Sequence, residues 1–222
     1  MNIVYILSSF HIEYGKCNSI ELFKIIEQLQ PDVIFEELSI DVFNLIYSEG
    51  YMPMSLEAIT VKNYLKNYHI QHIPVDTYDF NEKDLFIDFE IVLNRSLEYT
   101  EMFKYQALMI FRYGYDFLNS TDCDELIDKM RMTEEKVLAD INDIKLINQY
   151  KSEQIVHNKR EDIIIQNIYN YSDQHPFKKA VLICGVEHRK SIMEKIEENK
   201  MKVVTQLNWK LYKDFPTNLD IP

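Results

Sequence analysis

Glycine and proline are scarce in this chain, whose 222 residues include 4 Gly and 6 Pro. An all-β sandwich or barrel needs many tight turns, which these two residues normally supply. Their scarcity therefore argues against that fold class and favours long helices. The chain length predicts a single domain with a core of its own.

Clusters of basic residues are also missing. The chain has 24 Lys and Arg against 36 Asp and Glu, which gives a formal net charge of −12. A nucleic-acid groove needs Lys and Arg to replace counterions, and an anionic membrane surface attracts the same residues. We therefore expect neither nucleic acid nor a membrane surface as a partner.

Cysteine is limited to three residues, Cys17, Cys123 and Cys184, and they form no CxxC pair. An odd number without a metal-ligand spacing fits a reducing compartment better than a disulfide framework. The N-terminal MNIVYILSSF lacks the basic region of a signal peptide, and no apolar run approaches the roughly 20 residues of a membrane helix. The sequence predicts a cytoplasmic protein.

The first third of the chain has a strand–helix–strand pattern. A short β-branched run, Asn2–Leu7, precedes the amphipathic segment Cys17–Pro31, and Asp32–Phe35 follows as a second strand. Further helix is predicted to about Tyr68, with a break at Gly50–Pro53, and then a third strand at His69–Val75. Such a pattern favours parallel strands joined by crossover helices.

The second half begins with a long region that lacks strand signals and proline. Residues 81–171 show repeated helical periodicity and predict a helical insertion between the third and fourth strands. Its aromatic-rich part, Tyr99–Phe117, is consistent with ordinary helix core, a pocket cover or a homodimer interface. KAVLICG at Lys179–Gly185 is the fourth strand and KVVTQL at 202–207 the fifth. The predicted fold is α/β, with a mostly parallel central sheet flanked by helices and a helical insertion as a cap.

Chemistry-bearing residues follow several of the predicted strands. In an open parallel sheet, ligands bind beyond the carboxyl ends of the strands. Two histidines and several carboxylates are delivered to that edge, at Ser8–His11, Glu36–Leu38, Asp76 and Gly185–His188. Imidazole together with carboxylate suits general acid–base chemistry or a first-row metal ion, although a histidine after a strand is often structural.

Four of the candidate residues allow more than one interpretation. Gly185 allows a sharp turn and leaves room for a ligand, unless it is only a strand-to-helix turn. Glu36 and Glu37 should point to opposite faces of the sheet, so that only one faces the site. Arg160 is predicted at the start of a helix, where it either pairs with Glu37, holds a substrate carbonyl or carboxylate, or is a solvated arginine.

The same residues resemble the TraB/Tiki superfamily, which includes erythromycin esterase-like and ChaN-like haem-uptake proteins. That superfamily has two Gly-x-x-His motifs separated by an acidic strand and an arginine-bearing helix. The sequence GVEH at Gly185–His188 matches the second motif, and SSFH at Ser8–His11 resembles the first, with Ser8 in place of glycine. The other matching segments are VIFEEL with Glu37, IPVDTYD at Ile73–Asp79, and NKREDIII with Arg160.

The resemblance implies an α/β fold with a helical insertion, but its members range over metal-dependent proteases, esterases, haem binders and pheromone-shutdown proteins. The preferred hypothesis is a metal-assisted or acid–base hydrolase that acts on an amide or ester of a small molecule or peptide. Its catalytic residues would be His11, Glu37, Arg160 and His188; its metal ligands His11, Glu37 and His188; and its substrate-binding residues Glu36, Asp76 and Gly185.

Two other functions remain open at this point. A non-catalytic protein would use His11 or His188 to bind haem, a peptide or a small molecule, with the helical insertion as its lid. In the second alternative, the protein binds a partner through the surface of its helices, and the site at the sheet edge is degenerate. In the hydrolase hypothesis, a divalent metal would lower the pKa of bound water and polarise the carbonyl.

Overall fold

The computed structural model describes residues 2–77, 87–199 and 206–214. Their strands form one parallel sheet in the order β3-β2-β4-β1-β5. The strands are β1 (Asn2–Ser9), β2 (Val33–Glu36), β3 (Gln71–Pro74), β4 (Lys179–Gly185) and β5 (Leu207–Leu211). The α/β fold class predicted from the sequence is confirmed.

Helices flank this sheet. They are α1 (Ser19–Leu29), α2 (Ile40–Ile46), α3 (Leu56–Tyr64), α4 (Ile87–Arg95), α5 (Leu97–Tyr113), α6 (Tyr115–Leu118), α7 (Thr121–Ile141), α8 (Ile144–Gln174) and α9 (Val186–Asn199). A 3-10 turn at Tyr212–Asp214 follows β5. The predicted break between the early helices lies in the segment that separates α2 from α3.

Helix α1 shows how the sequence sets these elements. The side chain of its N-cap residue, Asn18, accepts a hydrogen bond from the backbone N–H of Glu21, as the sequence pattern predicts. Its apolar residues recur at helical spacing and are all buried, namely Leu22, Ile25, Ile26 and Leu29. The helix ends at Leu29; its C-cap residue, Gln30, has a left-handed backbone, and Pro31 follows.

Alternate residues of the strands face two separate cores. Tyr5 and Leu7 of β1 contribute to a core that includes residues of α1, α3 and α5–α7. Val4 and Ile6 point to the other face, where the core is completed by the C-terminal half of α8 and by α9. Both faces of the sheet are therefore covered, as is usual for a parallel sheet.

The region predicted as an insertion is helical wherever it is described, from 87 to 171, and residues 81–86 lie outside the described residues. Its helices do more than cover the carboxyl edge. Residues of α5–α7 contribute to the first core, and Ile164 and Ile168 of α8 contribute to the second. The N-terminal half of α8 reaches the carboxyl edge of the sheet through Val156, His157 and Arg160.

Strand boundaries differ most at the C-terminus. The predicted fifth strand covered 202–207, of which 202–205 lie outside the described residues, whereas β5 is Leu207–Leu211 and pairs with β1. The polar residues Asn208 and Lys210 interrupt the apolar run by which a buried strand is recognised in a sequence. Trp209 between them is buried in the second core. Within the described residues, no helix has the length and apolar character needed to cross a membrane.

Candidate functional site

A cleft of about 720 Å³ lies at the carboxyl edge of the sheet. Residues after β1, β2 and β4 line it, together with residues from α2, α3, α8 and the start of α9. Its volume falls within the roughly 300–1,000 Å³ of small-molecule sites. The side chains that meet in it include His11, Glu37, Glu57, Arg160 and His188.

Glu37 is the residue on which the cleft contacts converge. It follows β2, and its Oε2 accepts a hydrogen bond of 2.5 Å from the backbone N–H of Gly185, which ends β4. Its Oε1 lies 2.8 Å from Arg160 Nη2 and 3.3 Å from His188 Nε2. Burial raises the pKa of Glu37, but the charges of His188, His11 and Arg160 outweigh burial and lower the pKa to about 2.

His188 lies between two buried carboxylates. Its Nε2 faces Glu37, and its Nδ1 lies 3.0 Å from Oε1 of Glu161 on α8. Burial lowers the pKa of His188, but the charges and hydrogen bonds of Glu37 and Glu161 raise it to about 10. Without a bound metal, His188 is therefore an imidazolium at neutral pH.

His11 has a similar partner but lies closer to solvent. Its Nδ1 is 3.2 Å from Oε1 of Glu57, on the first turn of α3, and its side chain is 55% exposed. The same carboxylate accepts hydrogen bonds from the His11 backbone N–H and the Ser9 hydroxyl. Partial removal from water lowers the pKa of His11, but Glu57 outweighs this effect and raises the pKa above the usual 6.5. The backbone of His11 is left-handed, with φ of 63°, which histidine tolerates better than most residues.

Arg160 lies against Glu37 and Asp76. Its Nη2 is 2.5 Å from Asp76 Oδ2, and its Nε donates to the same oxygen at 3.1 Å. The Asp76 side chain has no exposed surface. The expectation that Arg160 starts a helix is wrong, because α8 begins at Ile144 with Asp143 as its N-cap. Arg160 is in mid-helix, and its burial is explained by two carboxylates.

Gly185 is needed for space and not for an unusual backbone angle. It does not have a positive φ, so the turn after β4 does not depend on a left-handed backbone at this glycine. A Cβ at this position would lie 2.8 Å from His11 Nε2 and 3.5 Å from Glu37 Oε2. The close approach that glycine permits is therefore between the chain's own His11, Glu37 and β4.

Glu36 and Glu37 do point to different surroundings. Glu36 also borders the cleft, but its carboxylate is bound by other residues. Its Oε2 accepts a hydrogen bond of 2.6 Å from the Tyr47 hydroxyl, and its Oε1 lies 2.8 Å from His72 Nδ1. Glu37 is the carboxylate that reaches His188 and Arg160.

Ser8, where the resembled family has glycine, is the last residue but one of β1 and pairs with Cys184. Its backbone φ is not positive, so this position does not require glycine. Its buried hydroxyl has no hydrogen-bond partner among the described residues. The left-handed backbone that reorients the loop is at His11 instead.

Two carboxylates of this site were missed in the sequence. Glu57 looks like an ordinary acid in the first turn of a helix capped by Ser55, where the helix dipole favours it. Glu161 has the sequence context of an acid on a solvated helix face, yet it is 3% exposed. Only the placement of α3 and α8 beside the two histidines reveals their contacts.

The donor types are those that a divalent metal accepts. Each imidazole has its Nδ1 next to a carboxylate and its Nε2 directed elsewhere, which is the usual outer-shell arrangement of metal-binding histidines. Across the part of the chain that the structure describes, however, no three His, Cys, Asp or Glu side chains are grouped as metal ligands. The metal-ligand roles of His11, Glu37 and His188 stay predictions.

Comparison with known proteins adds no assignment: no protein family model, no curated protein and no solved structure matches this chain. The resemblance to the TraB/Tiki superfamily therefore stays a prediction based on short motifs. The case for a function depends on the cleft itself.

Proposed function

We propose that this protein is a hydrolase of the TraB/Tiki type. It uses His11 and His188 as an acid–base pair to cleave an amide or ester bond. The observation that supports this proposal is the matched setting of the two imidazoles. Each has its Nδ1 beside a carboxylate, Glu57 or Glu161, and both border one cleft beside Glu37. A ring oriented in this way is the common form of a histidine used for proton transfer.

His11 is the general base in this proposal. Glu57 holds the Nδ1 proton of the neutral ring, which leaves the Nε2 lone pair free to accept a proton from water. Its partial exposure gives it access to solvent water, unlike the enclosed His188. The attack forms a bond from the water oxygen to the carbonyl carbon, and the carbonyl π electrons move to the oxygen.

His188 is the general acid. Glu37 and Glu161 keep it protonated at neutral pH, so it stabilises the oxyanion and then donates its Nε2 proton to the departing alcohol or amine. His11 then releases the proton that it gained to solvent, and His188 takes up a proton from solvent, so both histidines return to their starting states. One water is consumed, and one acid and one alcohol or amine are released.

Arg160 and Asp76 have positioning roles in this scheme. Asp76 fixes the guanidinium through three hydrogen bonds, and the guanidinium in turn holds Glu37. Glu37 then retains its charge and keeps the proton on His188. A divalent metal bound by this donor set would instead supply polarisation of the carbonyl and a more acidic water.

The test is hydrolysis of a 4-nitrophenyl ester and a matched 4-nitroanilide by purified protein treated with EDTA, then repeated with added Zn²⁺ or Mn²⁺. We expect turnover in EDTA, and a fall in kcat/KM of about 10²–10⁴-fold in His188→Gln. Turnover that requires the added metal would overturn the metal-free acid–base assignment.

The matched control is His72→Gln. It also removes a histidine paired with a glutamate, Glu36, but His72 does not line the cleft. It should keep kcat/KM within about threefold of the wild type, since His72 itself is outside the cleft lining and its partner Glu36 stays bound by Tyr47. Equal losses in the two variants, or ligand binding without turnover of either substrate, would contradict the hydrolase proposal.

A further inference from the structure

A second, smaller cavity adjoins the cleft. Its volume is about 180 Å³, and it lies among α4, α5, α7 and α8. Phe10, His157 and Glu187 line both spaces, so the cavity and the cleft meet at these residues. This shared border is close to the proposed acid, because the His157 ring lies 5.3 Å from the ring of His188.

Aromatic side chains make up much of the lining of this cavity. They are Phe10, Phe89, Tyr99, Phe103 and Tyr150. Phe89 packs edge-on against Tyr99 and Phe103, at ring-centroid distances of 6.3 and 5.3 Å. Another ring can add to such edge-to-face contacts. An apolar cavity of roughly 150 Å³ is known to accept benzene, so this one has the size for a single six-membered ring.

Gln106 adds a polar group to this aromatic lining. Its side chain is 8% exposed and lines the cavity from α5. Within the described residues, only Ser8 has a buried side-chain polar atom without a hydrogen-bond partner, so the Gln106 carboxamide is not a buried unsatisfied group. It is open to the cavity, where a ligand with a donor or acceptor can hydrogen-bond to it.

The charges around the cavity restrict the polar group of that ligand. Glu134, Glu153 and Glu187 line it together with the single cation Arg131. Arg131 is already engaged, since it donates to the backbone oxygen of Glu187 at 3.1 Å. A ring carboxylate would therefore be repelled, whereas a neutral hydroxyl can both donate to and accept from Gln106.

We propose that this second cavity is a specificity subsite for a phenol-like group of the substrate, which hydrogen-bonds to Gln106 while the scissile bond lies in the cleft. This assignment rests on the proposed hydrolase function for the position of the scissile bond. The ring itself is recognised by the cavity alone. The substrate class is then an ester or amide with a hydroxyphenyl group a few bonds from its carbonyl.

Two measurements separate this subsite from the hydrolase activity. The first is direct binding of 4-ethylphenol and ethylbenzene by NMR titration, which needs no turnover. The second is kcat/KM for the 4-nitrophenyl esters of butyric, 3-phenylpropionic and 3-(4-hydroxyphenyl)propionic acids. We expect 4-ethylphenol to bind about 3–10-fold more tightly than ethylbenzene, and the hydroxyphenyl ester to be preferred by a similar factor.

Gln106→Leu tests the hydrogen bond, because leucine keeps much of the volume and removes the amide. It should abolish the preference for the hydroxyl in both measurements and retain binding of ethylbenzene. Ile127→Trp, which places a larger side chain at a cavity-lining position, should remove binding of both compounds. Tyr105→Leu, on the half-exposed side of the same helix, is the control and should change neither.

The possible failures can be told apart. Specific binding of 4-ethylphenol through Gln106 without any ester turnover would support the subsite and contradict the hydrolase proposal. Unchanged 4-ethylphenol affinity in Gln106→Leu, or in Ile127→Trp, would overturn the subsite even if the esters are hydrolysed.

Discussion

His188 Nε2 lies 3.3 Å from Glu37 Oε1, although the two residues follow different strands of the sheet. They meet because β2 and β4 are parallel neighbours, so both strands end at the same edge. Each also has a further buried partner, Arg160 for Glu37 and Glu161 for His188. The charged cluster is thus a consequence of sheet topology.

Stability should depend on pH through this cluster. The pKa of His188 rises from 6.5 to about 10 on folding, since Glu37 and Glu161 outweigh the effect of burial. Protonation of His188 therefore stabilises the fold fully below pH 6.5, and this contribution is lost as the pH rises to about 10. Glu37 acts in the opposite range: its stabilisation is present above pH 4.5 and is lost as the pH falls to about 2.

The measurement is urea unfolding of EDTA-treated protein at several pH values between about 6 and 10. The free energy of unfolding should decline over this range in the wild type and decline less in His188→Gln. At pH 6 the free energy of unfolding of the variant should be lower than that of the wild type by about 1–3 kcal/mol. The loss is limited because Glu37 is still paired with Arg160, and Glu161 is still bound by Ser191 and Lys195. Parallel curves for the two proteins would show that His188 does not carry this charge.

Gly185→Ala should damage the site more than the fold. The new Cβ would lie 2.8 Å from His11 Nε2, the end of a half-exposed side chain that can move aside. We expect a stability loss below about 1 kcal/mol and a fall in kcat/KM of about 100-fold, as displacement of a catalytic group by about 1 Å can cause.

A double-mutant cycle with His11→Ala gives the control for this prediction. If the clash with His11 is the cause, Gly185→Ala should have almost no further effect on kcat/KM once His11 is removed. Full additivity of the two losses would mean that the alanine acts through another contact.

Ser8→Ala should stabilise the protein. The Ser8 hydroxyl is buried and has no partner among the described residues, so its removal avoids a desolvation penalty of about 1 kcal/mol. Ser172→Ala is the matched control, because the Ser172 hydroxyl donates to the Ile168 backbone oxygen at 2.6 Å and its removal should cost about 1 kcal/mol. Urea unfolding of both variants measures the difference, and a destabilised Ser8→Ala would indicate a partner for that hydroxyl.

Asp76→Ala should be among the most destabilising single changes in the sheet region. Its side chain is fully enclosed and holds the Arg160 guanidinium, and breaking such a buried pair typically costs about 3–5 kcal/mol. Asp128→Ala removes the partner of Lys190 in a pair whose side chains are 44% and 39% exposed, where the expected cost is at most about 1 kcal/mol. Similar losses in the two variants would show that the Asp76–Arg160 pair contributes no more than a surface pair.

The sequence predicts the sheet and one half of the site. The hydrophobic runs and the helix cap at Asn18 locate the strands and the first helix, and parallel topology then brings the residues after β1, β2 and β4 to one edge. Glu37 and His188 were both found by this reasoning. The choice between Glu36 and Glu37 needed the structure, because either side chain satisfies the pattern.

The other half depends on helix placement, which short-range patterns do not encode. Glu57 and Glu161 have the sequence context of surface acids. Arg160 was placed at a helix start, whereas α8 runs without interruption from Ile144 to Gln174. The spacing of Tyr99 and Phe103 predicts helix core, and both do pack in the first core. It does not predict the cavity that they line together with Gln106.

The most direct test of the acid–base assignment is the pH dependence of kcat/KM for ester hydrolysis by EDTA-treated protein. The account predicts a bell-shaped profile, because activity needs neutral His11, whose pKa is raised above 6.5, and protonated His188, whose pKa is about 10. In His188→Gln, the remaining activity should keep the acid limb and lose the alkaline limb near pH 10. A wild-type profile without an alkaline limb, or the same limb in His188→Gln, would contradict the assignment of His188 as the acid.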